Sequence, residues 1–266
     1  MPDPVIGHDR GTATAASIRA ESLEQRARMH AALGEPVRLA IVDQLTLADA
    51  SPGELGAVVD LATNLLAHHL KVLEEAGLIW RVQSEGDRRR SYVQLRWDDA
   101  GVAALLAPSA AGFHAVPRVV FVCTHNSARS QLAAAAWARV STIPSASAGT
   151  HPASRVHPRA FAAARRHGLR IGRARTHHLA DTVQPGDLIV AVCDNAHEEL
   201  ATGPTRPALD GTTTGRGWLH WAGPDPVRVA TDAAFDTAYT DLTRRVDRLA
   251  DALGSDPAAA SPGSSP

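Results

Sequence analysis

The sequence predicts two folded units of different class in one chain, an α+β unit of helices closed by a β-hairpin and then an α/β unit with a parallel sheet. The first half gives successive apolar stripes at helical spacing and then two short alternating runs around a polar turn. The second half alternates helical patterns with near-continuous apolar runs, as expected for strands covered on both faces. Between them, Pro108 to Val116 is rich in Ala, Ser and Gly and reads as a linker.

Composition bounds the answer. A chain of 266 residues, 44% hydrophobic and with a net charge of -1, is long enough for two small domains. The expected division is a disordered tail over 1–17, a first domain over 18–107, a linker over 108–116, a second domain over 117–254 and a disordered tail over 255–266. No window approaches the roughly 18 apolar residues of a membrane span, and the start lacks a signal-peptide core, so a cytoplasmic protein without membrane contact is expected. Two cysteines exclude a disulfide scaffold and are better read as chemistry or core.

In the first half a helical pattern runs from about Ile18 to Leu33 and stops at Gly34. Pro36 fits a first helical position, with Val37, Ala40, Ile41 and Leu45 on one face. Ser51-Pro52-Gly53-Glu54 has the form of a capping box opening a short helix through Val59. Thr63 is expected to cap a fourth helix with Leu66, Leu70 and Leu73 buried and Gly77 as its stop. Two helices joined by a tight turn, Ser51 to Val59 and Thr63 to Ala76, fit a helix-turn-helix. Leu78 to Gln83 and Ser91 to Leu95 then make a hairpin around Ser84-Glu85-Gly86-Asp87, with Arg88, Arg89 and Arg90 at its returning end. A basic hairpin after such a helix is a wing able to meet DNA phosphates. Singly, His68 and His69 fit packing as well as contact, and an arginine cluster fits a solvated loop.

From about Met29 to Leu95, and most closely over AHHLKVLEEAGLI, the chain resembles the ArsR-type winged helix-turn-helix regulators. That resemblance implies a homodimer on a double-stranded DNA operator, with Thr63, Asn64, His68 and Lys71 on the reading face. It departs from the family at the sensor. The first 122 residues contain no thiol, Glu54 to Asp60 lacks the Cys-x-Cys pair of arsenic-sensing members, and Asp98 to Ala107 lacks the His/Asp spacing of zinc-sensing ones. No metal site is expected, and Asp98 to Ala107 reads as a short dimerisation helix.

In the second half, Arg118 to Ser130 reads as a strand, a loop of small polar residues and the start of an alanine-rich helix, Gln131 to Val140. Backbone N–H groups of Thr124, His125, Asn126, Ser127, Ala128 and Arg129 can converge on an anion at that helix N-terminus. Arg129 can add a planar fork to two oxygens of a tetrahedral anion. The same field would hold Cys123 as a thiolate, and Ser130 can donate to it. Alone, C-x5-R fits a buried cysteine and a surface arginine equally well. Asp187 to Val192 reads as a buried strand ending at Cys193; Pro158 opens a helix that Gly168 closes. Thr231 is expected to cap a long terminal helix burying Phe235, Ala238, Leu242, Val246, Leu249 and Leu253. Ligands of such sheets gather at the strands' carboxyl ends, where both cysteines lie.

Cys123, Asn126, Arg129 and Ser130, with Ser147-Ala148-Gly149-Thr150 and the pair Asp225-Pro226, resemble the low-molecular-weight tyrosine phosphatase fold and the arsenate reductases built on it, over about Pro117 to Leu253. The resemblance implies Cys123 as nucleophile, Arg129 on the anion and Asp225 as general acid, although an Asp before Pro also serves as a turn residue. Three functions fit: an arsenate reductase, a tyrosine phosphatase, or an oxyanion-sensing regulator without turnover. Val227-Arg228 stands where the phosphatases present aromatic residues, and Val192-Cys193-Asp194-Asn195 resembles the reductases' redox-cysteine region, which ranks reduction first. No third cysteine follows Cys193, so turnover would draw on an external reductant, a small thiol of the mycothiol or glutathione type or thioredoxin, with no bound cofactor. Cys193 also fits a buried strand-end residue.

Overall fold

The computed structural model describes residues 15–106, 116–171, 175–202 and 218–254. Of the expected N-terminal tail, residues 1–14 lie outside that set, and from Ala15 the chain is already helical. The expected linker, save Val116, and the expected C-terminal tail also lie outside it.

The first half runs through α1 (Ala15–Leu33), α2 (Pro36–Leu45), α3 (Pro52–Val59), α4 (Thr63–Glu75), β1 (Ile79–Gln83), β2 (Ser91–Leu95) and α5 (Ala100–Leu105). Glu35 caps α2 by accepting from Val37 N and Arg38 N, and Ser51 and Glu54 close a reciprocal capping box on α3. Thr63 is not the cap of α4. The N-cap is Ala62, which has no side-chain acceptor, and Thr63 is the first helical residue. The amphipathic α4 starts because Leu66, Leu70 and Leu73 must face Ile41, Leu45 and Leu55, not because a cap fixes it. Gly77 takes φ 75° after the helix, a left-handed turn that a side chain would strain. β1 and β2 pair antiparallel from Ile79 opposite Leu95 to Gln83 opposite Ser91. In the six-residue α5, the fully buried Val102 faces its own half's core.

The second half contains β3 (Val119–Cys123), α6 (Arg129–Val140), β4 (Ser145–Gly149), α7 (Pro158–Arg166), α8 (Leu179–Thr182), β5 (Leu188–Ala191), α9 (Asp194–Thr202), β6 (Trp218–His220), α10 (Pro226–Val229) and α11 (Asp232–Gly254). Its four strands are parallel in the order β4-β3-β5-β6. Because the chain leaves β3 toward β4 and returns to β5 on the other side, the order reverses between β3 and β5, and a crevice opens at their carboxyl ends. Thr231 Oγ1 accepts from Ala234 N at 3.2 Å and caps α11. Among the described residues, α11 buries Phe235, Tyr239, Leu242, Val246, Leu249 and Ala252. Tyr239, stacked 3.9 Å from His167, takes the inner place expected of Ala238.

The halves share a polar seam as well as apolar contact. Leu47, from the turn after α2, is buried in the second half's core, and its carbonyl accepts from Trp221 Nε1 at 2.8 Å. Asp49 beside it accepts from Arg245 Nη1 (2.7 Å), Gln94 Nε2 (2.8 Å) and Ala222 N (2.7 Å). Arg248 lies 4.5 Å over the ring of Trp97. Asp49→Ala is therefore expected to lower the unfolding free energy by about 3 kcal/mol, the lower part of the range for stranding a buried ion, because Asp241 still pairs with Arg245. Urea denaturation of the full chain measures it, and an unchanged midpoint would contradict the role given to this seam.

Candidate active site

The loop from β3 to α6 is shaped by where its carbonyls go. Thr150 N donates to Cys123 O (3.2 Å), His151 N to Thr124 O (2.8 Å), Ala153 N to His125 O (3.0 Å) and His157 N to Ser127 O (2.8 Å). Gln131 Nε2 donates to Asn126 O at 3.1 Å. With the carbonyls held on one side, the N–H groups of Thr124 to Arg129 face the other, and among the described residues no protein acceptor takes them. That is a nest of backbone N–H groups at the N-terminus of α6, an arrangement whose chemistry suits an anion. Asn126 turns the loop at φ 49°, and its Oδ1 accepts from His177 N at 2.9 Å. At Gly149 a Cβ would stand 2.7 Å from Thr124 O and 2.9 Å from Asn126 N, so glycine is what lets β4 pass this close to the loop.

Asn126 Nδ2 donates to Ser130 Oγ at 2.9 Å, and Ser130 Oγ lies 3.1 Å from Cys123 Sγ. Because the serine oxygen already accepts, its hydrogen is free for the sulfur, and the relay runs from Asn126 through Ser130 to Cys123. Arg129 is buried above this loop. Its Nη1 donates to Glu85 Oε1 and to Gly223 O (2.9 Å), and its Nη2 lies 3.5 Å from Asp225 Oδ1. Burial works against the guanidinium charge, but Cys193, Glu85, Asp225 and Cys123 around it outweigh that and raise its pKa. Asp225 Oδ1 also accepts from Val227 N at 3.1 Å, which caps α10 and fixes the carboxyl beside Arg129.

Cys193 lies at the end of β5, fully buried, beside the nest. Its sulfur accepts from Ala196 N at 3.4 Å and lies 3.6 Å from Thr124 Oγ1. Both cysteines are free thiols. Burial pushes the Cys193 thiol up to about 12, against the pull of Arg129.

The structure also brings in residues that sequence reasoning missed. The wing tip lies on α9: Glu85 N donates to Asp194 Oδ2 (2.8 Å), Ser84 Oγ to Glu198 Oε1 (2.7 Å) and Asp87 N to Glu198 Oε2 (3.2 Å). Glu85 thus reaches Arg129 from the other half of the chain. Burial raises the pKa of Glu85 against the pull of Arg129, and that of Asp194 likewise. The one signal in the sequence was a pair of acids, Glu85 and Asp87, in the turn of an otherwise basic hairpin. A cavity of about 520 Å³ adjoins Arg129, walled by Trp80, Val82, Trp221, Pro224 and Leu242.

Of the expected DNA face, Thr63, Asn64, His68 and Lys71 are exposed on α4, as are Arg88, Arg89 and Arg90 on the wing. His69 is instead buried and meets Glu35 Oε2 at 3.3 Å, a packing role. Among the described residues no group of three or more His, Cys, Asp or Glu is placed to hold a metal ion, and no helix is long and apolar enough to cross a membrane.

Against this geometry stand the comparisons. The family described as low molecular weight phosphotyrosine protein phosphatase matches residues 118–259, and a helix-turn-helix domain family matches residues 33–81. No curated protein matches. Among solved structures, a YwlE mutant from Bacillus subtilis is 18% identical over 52% of this chain and 99% of its own, with a TM-score of 0.44. An arsenate reductase from Archaeoglobus fulgidus is 24% identical over 50% and 98%, with a TM-score of 0.40. The tyrosine phosphatase Wzb from Escherichia coli K30, in complex with sulphate, is 22% identical over 52% and 99%, with a TM-score of 0.43.

The raised pKa of Cys193 sets a pH dependence of known sign. Between its ordinary value of 9.0 and about 12, the unfolded chain releases a proton that the native chain keeps, so stability falls as pH rises through that window. Wild type should therefore lose more of its urea midpoint than Cys193→Ala on going from below that window into it. Other groups titrating there act equally in both proteins, and equal losses would contradict the burial of a neutral Cys193.

Proposed function

With more than half of its length matched over residues 118–259, the chain belongs to the low molecular weight phosphotyrosine protein phosphatase family, and from that membership we propose that it is an arsenate reductase fused to a DNA-binding regulator of arsenic resistance. The observation that carries reduction is the second thiol: Cys193 adjoins the nest, hydrogen-bonded through Thr124, where a phosphatase needs only one. In this reading the nest and the Arg129 fork hold arsenate, and Cys123 sulfur attacks arsenic. A sulfur–arsenic bond forms and an arsenic–oxygen bond breaks, the oxygen leaving as water with a proton from Asp225. Cys193 sulfur then attacks Cys123 sulfur. A disulfide forms, the sulfur–arsenic electron pair stays on arsenic, and As(V) leaves as arsenite, carrying the proton of the Cys193 thiol. An external thiol of the small-thiol or thioredoxin class returns the two electrons by disulfide exchange.

The helix-turn-helix half would dock α4 in the major groove of an operator, with Arg88, Arg89 and Arg90 on the flanking phosphates. Dimerisation and cytoplasmic location belong to the same reading.

One feature favours a second reading. The cavity beside Arg129, with Trp80, Trp221 and Pro224 in its walls, suits an aromatic leaving group, and there Cys123 would hydrolyse an aryl phosphate.

Arsenate given to the full chain without external thiol should yield one arsenite per chain and a Cys123–Cys193 disulfide found by peptide mapping. Cys123→Ser should abolish this while still binding phosphate, because the backbone nest and Arg129 remain. Faster hydrolysis of aryl phosphate than arsenate-dependent thiol consumption would overturn reduction in favour of the phosphatase. An external-thiol adduct on Cys123 with Cys193 still reduced would take Cys193 out of the chemistry.

A further inference from the structure

The wing is seated on the second half by contacts that do not involve Arg129. Ser84 is buried, and Glu198 accepts from Ser84 Oγ, Asp87 N and Tyr92 OH at 2.7, 3.2 and 3.0 Å. At Gly86 a Cβ would stand 2.6 Å from Asn195 Oδ1 and 2.7 Å from Glu198 Oε2, so a larger residue at the tip would have to push these two side-chain ends aside. From that seat the side chain of Glu85 extends to Arg129, 44 positions along the chain.

The two hydrogen bonds that Arg129 makes to described residues both use Nη1, one to Glu85 and one to Gly223 O. A guanidinium is planar, so holding Nη1 at two acceptors orients the whole fork; Nε and Nη2, the latter 3.5 Å from Asp225 Oδ1, are the donors that remain to meet an anion. Without Glu85, Nη1 would keep one backbone acceptor and Nη2 its looser contact with Asp225, and more of the ordering of the fork would fall on the anion at an entropic cost.

We propose that Glu85, carried on the wing of the DNA-binding half, is a positioning residue of the oxyanion site, so that wing docking and anion binding reinforce each other. This rests on the oxyanion reading of the nest but not on whether arsenate or an aryl phosphate is the substrate. Reciprocity follows: if the docked wing tightens anion binding, a bound anion tightens wing docking by the same factor. A docked wing has its tip N–H groups bonded to Asp194 and Glu198, so those groups are not available to DNA phosphates while it is docked. Occupancy of the nest therefore favours the state with the weaker hold on DNA.

The test is calorimetric titration of the full chain with inorganic phosphate. Glu85→Ala is expected to weaken binding by about 5–150-fold, the usual span of coupling between sites. Glu85→Gln, whose amide oxygen can accept the same bond from Arg129, should recover most of that loss, which a merely structural role would not require. Glu198→Ala removes the anchors of Ser84, Asp87 and Tyr92 without touching Arg129, loosening the wing's seat, and should also weaken phosphate. Glu85→Ala binding phosphate as tightly as wild type, or more tightly, would overturn the proposal by making Glu85 a bystander or a competitor. So would an unchanged affinity in Glu198→Ala, which decides the matter even where Glu85→Ala does not fold. No phosphate binding by the wild-type chain would instead overturn the oxyanion site on which the proposal stands.

Discussion

The buried guanidinium of Arg129 is the constraint on which the rest of the arrangement depends. A desolvated cation needs acceptors, and several kcal/mol are lost when it has none. Here the acceptors come from segments far apart in sequence: Glu85 from the wing, Gly223 from the segment after β6, and Asp225 at the cap of α10. Each segment must be in place for the charge to be tolerated, and each is then fixed relative to the nest that Arg129 serves. The Asp49–Arg245 pair repeats the pattern at the seam between the halves, with Gln94 and Ala222 N completing the shell around Asp49. Buried ion pairs contribute little net stability, but they discriminate strongly against misplaced partners.

What was legible in the sequence was local. The capping box at Ser51, the stripe of Leu66, Leu70 and Leu73, and the apolar run into Cys123 are patterns of a few residues set by the periods of helix and strand. The nest could be read because it too is local, one loop between a strand and the helix it feeds. Thr63 misled because a good capping residue stood next to a boundary that packing had placed one residue earlier, at Ala62. Glu85, Asp194 and Glu198 were illegible because their roles come from contacts 44, 109 and 114 positions apart, which no periodicity reports. Tyr239 displaced Ala238 on the inner face of α11 because stacking on His167 offers more buried surface than a methyl group.

The charge distribution gives the fusion its functional sense. Arg88, Arg89 and Arg90 are exposed in the turn before β2 while Glu85 and Asp87 of the same turn bond to the acidic α9, so in the proposed reading one short turn carries both the groups for DNA and the group for the anion site. Such an element has two partners and cannot serve both fully. Linkage between catalytic occupancy and DNA affinity then requires no sensor thiol in the first half, where the sequence has none.

The most direct measurement of the central claim, that the oxyanion site spans both halves, is amide hydrogen exchange of the full chain with and without saturating phosphate. The Glu85 and Asp87 amides, which donate to Asp194 and Glu198, report docking of the wing and lie outside the nest. The account predicts that phosphate slows their exchange together with that of the nest. Exchange at Glu85 and Asp87 that is unchanged or faster while the nest becomes protected would contradict it.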